Sequence, residues 1–117
     1  MKTILVIDDE QYLRELYEAE LTQEGFNVLL AKDGFEGISL CEQNDPDLVI
    51  VDIRMPGMDG LETISRLLNI NRKRPILIHS AYPNYQDNFM SWNADDFVVK
   101  SGDLSELKQK VHAFLSV

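Results

Sequence analysis

Short apolar runs rich in β-branched residues recur at a steady interval along this chain, and each is followed by a segment long enough for a helix. Alternation of strand and helix patterns favours repeated βα units and a parallel sheet. The first, third and fourth runs are apolar on both faces, which is typical of strands that helices cover on each side. The pattern therefore predicts an α/β fold of five βα units in three layers. The predicted strands are Thr3 to Ile7, Asn27 to Ala31, Leu48 to Val51, Ile76 to Ile78 and Phe97 to Val99.

The segments after the first, third and fifth strands carry apolar residues at helical spacing, which predicts one buried face for each helix. The fourth helix, roughly Asn84 to Trp92, is short and offers little apolar surface, so we expect it to be the most mobile helix. The residues with helix-start or helix-end signals are Asp33 with Glu36, Asp59, Asp103 with Glu106, and Gly25.

The length and composition are those of one globular domain. The chain has 117 residues, of which 44% are hydrophobic, so we expect a single domain over residues 1–117. Acidic residues outnumber basic ones by 20 to 11, and the net charge of −9 disfavours direct nucleic-acid binding because such a surface repels phosphate backbones. The longest apolar runs are four residues, too short for a membrane span or a signal peptide. The single cysteine, Cys41, is predicted to be a small buried residue, and a cytoplasmic location is expected.

Acidic and other polar residues stand at the predicted carboxyl ends of the strands. In an open parallel sheet, ligands bind outside these ends, and in the flavodoxin-like order 2-1-3-4-5 the first and third strands are neighbours at the switch point. Asp8 and Asp9 follow the first strand and Asp52 follows the third, so we expect these carboxylates to converge. Ser80 and Lys100 follow the fourth and fifth strands. The sequence thus predicts a flavodoxin-like, doubly wound sandwich with one site at this edge of the sheet.

A cluster of carboxylates at one sheet edge is typical of a metal site that handles phosphate. Anionic oxygen ligands favour a hard cation, and a site with few protein ligands leaves positions for water and a phosphate oxygen, as Mg²⁺ prefers. Close carboxylates repel each other, so we expect the empty site to be strained or partly protonated. A metal-held carboxylate is a competent nucleophile toward phosphorus, and Lys100 and Ser80 would supply a cation and a hydroxyl donor for the new oxygens.

Four motifs lie in order at these strand ends: Asp8-Asp9-Glu10, VDIRMPGMDG at 51–60, HSAY at 79–82 and FVVK at 97–100. With them the chain resembles, over essentially its whole length, a bacterial two-component response regulator receiver domain of the chemotaxis-regulator type. The resemblance implies a signalling domain that catalyses only its own phosphorylation and dephosphorylation.

The resemblance implies that Asp52 accepts a phosphoryl group from a sensor histidine kinase or a histidine phosphotransfer protein. It implies Mg²⁺ as the cofactor, bound directly by Asp9 and Asp52. Asp8 would help, often through water, and Arg54 would add its backbone carbonyl.

The resemblance also implies a catalytic lysine and a conformational switch. Lys100 matches the family's lysine, Ser80 matches the hydroxyl that turns toward the phosphate, and Phe97 matches the aromatic residue whose rotation reports phosphorylation. Phosphorylation would rearrange the face formed by the fourth helix, the fifth strand and the fifth helix. A downstream protein partner or an output domain in a longer chain would read that face, and a phosphorylation-dependent dimer stays open.

The chain departs from the family pattern at a few positions. Ser101 follows Lys100 where the family usually has proline, which leaves the geometry of that peptide bond open. Asn93 occupies a turn that is often glycine, and asparagine is the best substitute in a left-handed conformation. Arg54 and Tyr82 each lie two residues beyond a predicted site residue, and our hypothesis is that they shield the acyl phosphate from water.

Two other functions compete with a phosphorylated signalling domain. A phosphatase or dehalogenase also attacks through an aspartate, but it needs an Asp-x-Asp pair and usually a cap domain, whereas Asp8 and Asp9 are adjacent. A degenerate receiver would bind partners without phosphorylation, and the presence of the full predicted site argues against it. His79 and His112 are predicted to have no catalytic role, since strand alternation from Ser80 directs His79 into or under the sheet.

Overall fold

The structure, a computed structural model, describes residues 1–83 and 92–116, and this part of the chain forms five strands and four α-helices. The elements are β1 (Thr3–Ile7), α1 (Gln11–Gln23), β2 (Asn27–Ala31), α2 (Gly34–Asn44), β3 (Leu48–Val51), α3 (Gly60–Ile70), β4 (Ile76–Ser80), β5 (Asp96–Val99) and α4 (Ser105–Leu115). The predicted strands are confirmed, except that β4 runs two residues further and β5 begins one residue earlier than predicted. The predicted fourth helix, roughly Asn84 to Trp92, lies outside the described residues except for Trp92, and so does the expectation about its mobility.

All strand pairs are parallel and the sheet order is β2-β1-β3-β4-β5, which confirms the flavodoxin-like prediction. Ile7 of β1 is in register with Val51 of β3. The next residues, Asp8 and Asp52, therefore leave neighbouring strands at the same level of the sheet. This register is what brings carboxylates from distant parts of the sequence to one edge.

Helices cover both faces of the sheet and divide the core into two apolar layers. Side chains of α1 and α4 pack with one set of strand residues, and those of α2 and α3 pack with the other. Ile4 and Val6 belong to the α1/α4 layer, whereas Leu5 and Ile7 belong to the α2/α3 layer, as strand alternation requires. Covered on both faces, the central strands contain almost only apolar residues.

Two of the three predicted helix starts have the expected cap. The side chains of Asp33 and Asp59 accept hydrogen bonds from the third residue of α2 and α3, respectively. The prediction for Asp103 is wrong, because α4 begins at Ser105 and has Leu104 as its N-cap residue. Asp103 Oδ1 instead accepts from the backbone N–H and the hydroxyl of Ser105, at 2.9 and 2.7 Å. This local turn satisfies the carboxylate before the helix begins.

Gly60, the first residue of α3, lies directly against the end of β3. A Cβ atom there would be 2.3 Å from the backbone oxygen of Asp52 and 2.5 Å from the Cα of Ile53. The turn after Asp52 therefore requires glycine. Asn93 adopts the predicted left-handed conformation, with φ of 63°. None of the described peptide bonds is cis, so the bond between Lys100 and Ser101 is trans.

Cys41 is buried, as predicted, at the end of the sheet opposite the acidic residues, and burial raises the pKa of its thiol. The buried guanidinium of Arg74 donates to its sulfur at 2.7 Å and to the backbone oxygen of Pro46 at 2.6 Å. The same guanidinium pairs with Asp45. Arg74 thus joins the segments that enter β3 and β4.

Candidate functional site

The three predicted carboxylates come together at the carboxyl ends of β1 and β3. One oxygen each from Asp8, Asp9 and Asp52 lies within 4.8 Å of the other two. Asp8 and Asp52 are almost fully buried, with exposed fractions of 1% and 6%, and Asp9 is exposed. The cluster therefore has one open side, formed by Asp9, from which a ligand can enter.

Lys100 joins the two buried carboxylates. Its Nζ lies 2.8 Å from Asp8 Oδ2 and 3.1 Å from Asp52 Oδ2. The backbone N–H of Lys100 donates to the backbone oxygen of Ser80 at 2.7 Å. This bond fixes the backbone of Lys100 beside the end of β4. One ammonium therefore offsets part of the repulsion that the sequence predicts for this carboxylate cluster.

The protonation equilibria of this cluster reflect burial and opposite charge. Burial raises the pKa of the Asp52 carboxyl, Lys100 lowers it by charge and hydrogen bonding, and Asp8 raises it. The net result is a pKa above the usual range of an aspartate. For Lys100, burial acts to lower the pKa, but hydrogen bonds to Asp8 and Asp52 and their charges outweigh it, so the pKa of Lys100 is raised. The lysine therefore remains an ammonium.

Asp8 is held from several directions. Its Oδ1 accepts from the backbone N–H of Glu10 at 3.0 Å, and its backbone oxygen accepts from the Arg14 guanidinium at 2.7 Å. Lys100 Nζ pairs with its other carboxylate oxygen, Oδ2, at 2.8 Å. Two of these contacts thus come from Glu10, the N-cap residue of α1, and from Arg14 in the first turn of that helix.

Behind Asp8, the Tyr17 hydroxyl contacts Nδ1 of His79. Burial, followed by the charges of Asp8 and Asp52, raises the pKa of Tyr17. Burial and the charge of Lys100 lower the pKa of His79 to about 4, against the opposing effect of Asp8. Both side chains are therefore neutral at pH 7. His79 is buried, as strand alternation predicts.

Ser80 and Phe97 lie on the face of the sheet that α2 and α3 cover. Ser80 is fully buried, and its Oγ accepts from the backbone N–H of Tyr82 at 3.2 Å. Phe97, 1% exposed, is in register with Ile78, two residues before Ser80, and belongs to the α2/α3 layer. The two predicted switch residues therefore stand on neighbouring strands and the same face.

Arg54 and Tyr82, which were predicted to flank the site from different loops, are in contact. The guanidinium carbon of Arg54 lies 4.7 Å from the centroid of the Tyr82 ring, a cation–π arrangement. The loops that follow Asp52 and Ser80 are thereby joined.

The donors of this site fit a hard divalent cation. The cluster offers only carboxylate oxygens, without the sulfur or imidazole ligands that softer metals prefer. Burial of Asp8 and Asp52 and the nearby ammonium provide an environment in which a phosphate group can be held by charge. The arrangement is suited to binding a metal ion together with a phosphoryl group.

Sequence reasoning missed the contact of Arg14 with Asp8 and the contact of Tyr17 with His79. Arg14 and Tyr17 belong to the helical pattern of α1, where the sequence shows only their periodicity. The available signal was a tyrosine and a histidine, Tyr17 and His79, at positions where the remaining pattern is apolar. Within residues 1–83 and 92–116, no helix has the length and apolar content to cross a membrane.

Comparisons with known proteins agree with this geometry. A family model described as the response regulator receiver domain matches residues 4–112. The response regulator ArlR of Staphylococcus aureus is 36% identical over 117 residues, covering 98% of this chain and 53% of that protein. The chain thus spans about half the length of the curated relatives it matches.

Two solved structures are similar along nearly the whole chain. The response regulator TrrA of Thermotoga maritima, in complex with Mg²⁺-BeF, is 42% identical, with a TM-score of 0.92 and coverage of 98% of this chain and 100% of that one. TrrA in complex with the histidine kinase ThkA is likewise 42% identical, with a TM-score of 0.91 and coverage of 99% and 100%.

Proposed function

The chain belongs to the response regulator receiver domain family, and on that premise we propose that Asp52 is the residue that is phosphorylated in a two-component or phosphorelay pathway. The observation that carries the proposal is the position of Asp52. It lies at a strand end, in a cluster of acidic oxygens, with Lys100 3.1 Å away. This combination supplies a nucleophile, a place for a cation and a fixed positive charge.

We propose Mg²⁺ as the cation, held by the carboxylates of Asp8, Asp9 and Asp52 and the backbone carbonyl of Arg54. The oxygen-only donor set and the Mg²⁺ in the TrrA complex support this choice. When bound, the ion would neutralise negative charge on the carboxylates and on an incoming phosphoryl group.

The residues of the chain then have distinct roles in phosphoryl transfer. An Asp52 carboxylate oxygen attacks phosphorus, a P–O bond forms, and the bond from phosphorus to the donor's nitrogen or oxygen breaks as the donor leaves. Lys100 favours the carboxylate form of Asp52 before attack and pairs with the phosphoryl oxygens afterwards. The Ser80 hydroxyl donates a hydrogen bond to one of these oxygens.

We propose that phosphorylation is read through Ser80 and Phe97. Ser80 exchanges its contact with the Tyr82 N–H for one with the phosphoryl group, and Phe97 repacks on the same face of the sheet. The face that changes consists of the predicted fourth helix, β5 and α4, and it binds a partner. The face responds because a dianionic group is introduced at the strand ends next to it.

The proposed donor is a sensor histidine kinase or a histidine phosphotransfer protein, supported by the complex of TrrA with ThkA. The recipient of the signal is a downstream protein or an output domain, supported by relatives about twice as long as this chain. Residues 1–117 act as one receiver domain in the cytoplasm, with phosphorylation-dependent dimerisation as one form of output. The domain catalyses only reactions of its own phosphoryl group.

Incubation with acetyl phosphate and Mg²⁺ tests the proposal. The expected result is a mass increase of one phosphoryl group located on Asp52 and absent in Asp52→Asn. Asp59→Asn is the matched control, because Asp59 is exposed in the same loop and asparagine retains its capping function. A phosphoryl group on another residue would contradict the proposal, and repeated turnover of a phosphoester would favour an enzyme instead.

A further inference from the structure

The guanidinium of Arg14 holds a backbone carbonyl at the acidic cluster. Its Nη1 donates to the backbone oxygen of Asp8 at 2.7 Å, and the Arg14 side chain is half-buried. Among residues 1–83 and 92–116, this oxygen is the single polar partner of the guanidinium. The arginine therefore acts on the backbone of the cluster rather than as a counterion of its carboxylates.

Helix formation does not account for an arginine at this position. Arg14 lies in the first turn of α1, where its backbone N–H donates to the backbone oxygen of Glu10 at 3.0 Å. The N-terminal end of a helix carries partial positive charge, so a cation in the first turn is unfavourable. The first turn of α1 has no acidic residue that would offset this charge. The contact with Asp8 gives a reason for Arg14 that the helix itself does not.

The Asp8 carbonyl lies just beyond the last hydrogen bond that β1 forms with β2. The backbone N–H of Asp8 donates to the backbone oxygen of Ala31 at 3.1 Å. The next polar group along the chain, the carbonyl of Asp8, accepts from Arg14 instead of from a neighbouring strand. A peptide group is planar, so a hydrogen bond to its oxygen restricts the orientation of the whole group. Arg14 thus fixes the peptide between Asp8 and Asp9.

This peptide joins two adjacent carboxylates of the cluster, and only one of them is held by its own side chain. Asp8 accepts from the backbone N–H of Glu10 at 3.0 Å and pairs with Lys100 at 2.8 Å. The Asp9 side chain is exposed, and its carboxylate has no hydrogen-bond or ion-pair partner in the described part of the chain. The direction of the Asp9 side chain therefore depends on the backbone that Arg14 fixes.

We propose that Arg14 is a positioning residue for the metal site, because its bond to the Asp8 carbonyl fixes the peptide between Asp8 and Asp9 and so presents the Asp9 carboxylate to a divalent cation. The inference rests on the proposed function, since it requires a cation at the acidic cluster. Hydrogen-bond partners around a metal site orient its ligands, and their removal commonly weakens metal binding by about 10- to 100-fold.

The charge of Arg14 and its hydrogen bond predict opposite effects on metal binding. A guanidinium repels a divalent cation, so loss of its charge alone would strengthen Mg²⁺ binding. Loss of the bond to Asp8 would weaken Mg²⁺ binding, because the Asp9 carboxylate would no longer be held in place. The direction of the change in affinity therefore distinguishes positioning from a purely electrostatic effect.

Calorimetric titration with Mg²⁺ compares wild type with Arg14→Met and Arg14→Lys. Methionine has neither the charge nor a donor, whereas lysine retains both. We expect the Mg²⁺ dissociation constant to rise about tenfold in Arg14→Met and to stay close to wild type in Arg14→Lys. Gln11→Met is the matched control, because it removes a side-chain hydrogen bond to Glu15 that begins in the same turn of α1. An unchanged or lower dissociation constant for Arg14→Met, or equal weakening in both variants, would overturn the inference.

A double-variant comparison tests whether Arg14 acts through Asp9. In an Asp9→Asn background, Arg14→Met should weaken Mg²⁺ binding by less than about twofold, because the ligand that Arg14 positions is already altered. A general loss of structure would instead weaken binding in both backgrounds. The same loss in the presence and absence of the Asp9 carboxylate would contradict positioning.

Nitrogen-detected spectra of the wild-type protein keep the test decisive if Arg14→Met does not fold. A hydrogen-bonded, half-buried guanidinium exchanges its protons slowly with water, so we expect slower exchange for Arg14 than for exposed Arg66, both without and with Mg²⁺. Faster exchange of Arg14 on addition of Mg²⁺ would mean that the cation releases the bond, which would overturn the inference. Absence of Mg²⁺ binding in wild type would refute the proposed metal site and this inference together, whereas normal binding that Arg14→Met leaves unaffected would refute the inference alone.

Discussion

Lys100 Nζ lies 3.1 Å from Asp52 Oδ2 although the two residues leave strands that are not neighbours in the sheet. The lysine side chain crosses the end of β4, which separates β3 from β5. It thereby supplies positive charge to a carboxylate that burial would otherwise favour in its neutral form.

Asp52→Asn is expected to stabilise the protein in the absence of metal at pH 7. Burial raises the pKa of Asp52 in the folded state, so folding stability falls as the pH rises through that pKa and stays lower above it. The amide removes this loss, and we expect a gain on the order of 1 kcal/mol at pH 7 that shrinks in acid. Urea unfolding of both proteins at pH 7 and pH 4 measures the effect, and an unchanged or lower midpoint at pH 7 would count against it.

Lys100→Met is expected to destabilise the metal-free protein by about 3 kcal/mol, because two buried carboxylates lose their shared cation. Mg²⁺ should restore part of the loss. Lys110→Met serves as the control, since the pair of Lys110 with Asp96 is about 30% exposed and should contribute at most about 1 kcal/mol. Denaturant unfolding with and without Mg²⁺ gives the comparison, and similar losses in both variants would argue against a special role for the buried pair.

Gly60→Ala is expected to cost about 2 kcal/mol and to slow phosphorylation by acetyl phosphate. The added methyl group would overlap the backbone of Asp52 and Ile53, so the loop that carries the acceptor must shift. Gly102→Ala is the matched control because a Cβ at Gly102 has no atom within 4 Å. Unfolding midpoints and phosphorylation rates measure the two effects, and equal behaviour of both variants would disprove the packing argument.

Arg54→Ala and Tyr82→Ala are each expected to shorten the lifetime of the phosphoryl group. Their contact joins two loops at the site, and removal of either side chain opens the acyl phosphate to water. The double variant should be little worse than either single one, because both disrupt one contact. Arg66→Ala, on the exposed side of α3, is the control. Lifetimes indistinguishable from wild type in both single variants would rule out shielding.

His79 is expected to make folding sensitive to acid. Burial lowers the pKa of His79 from 6.5 to about 4 in the folded state, so the unfolded chain binds more protons between these values. Stability should therefore fall on the order of 3 kcal/mol as the pH drops from 6.5 to 4. In His79→Asn this contribution is absent, and its stability should vary less over the same range in urea unfolding. Parallel curves for the two proteins would contradict the burial of a neutral imidazole.

The sequence predicts the strands well because strands buried on both faces of a parallel sheet are continuous apolar runs. Leu48 to Val51 is apolar throughout, and β3 coincides with it. Helix starts are predicted less well, since local hydrogen bonds compete for the same side chain. Asp103 has the spacing of a cap, but Ser105 satisfies its carboxylate two residues away.

The convergence of Asp8, Asp9 and Asp52 is also predictable, because it follows from sheet order and register alone. Contacts between side chains of distant elements cannot be predicted in this way. The hydroxyl of Tyr17 meets His79 across 62 positions, and helical periodicity indicates only that Tyr17 is buried. The sharing of Lys100 between two carboxylates likewise depends on the conformation of a long side chain.

Strand β5 is at the edge of the sheet, whereas β1 and β3 are central. The acceptor carboxylates are thus anchored in the best protected part of the molecule, while their counterion is carried by a strand with only one neighbour. Edge elements open to solvent at lower free energy than central ones. Separation of β5 from β4 would remove the Lys100 ammonium and leave Asp8 and Asp52 without their counterion. The charge balance of the site therefore depends on how stably β5 remains paired with β4.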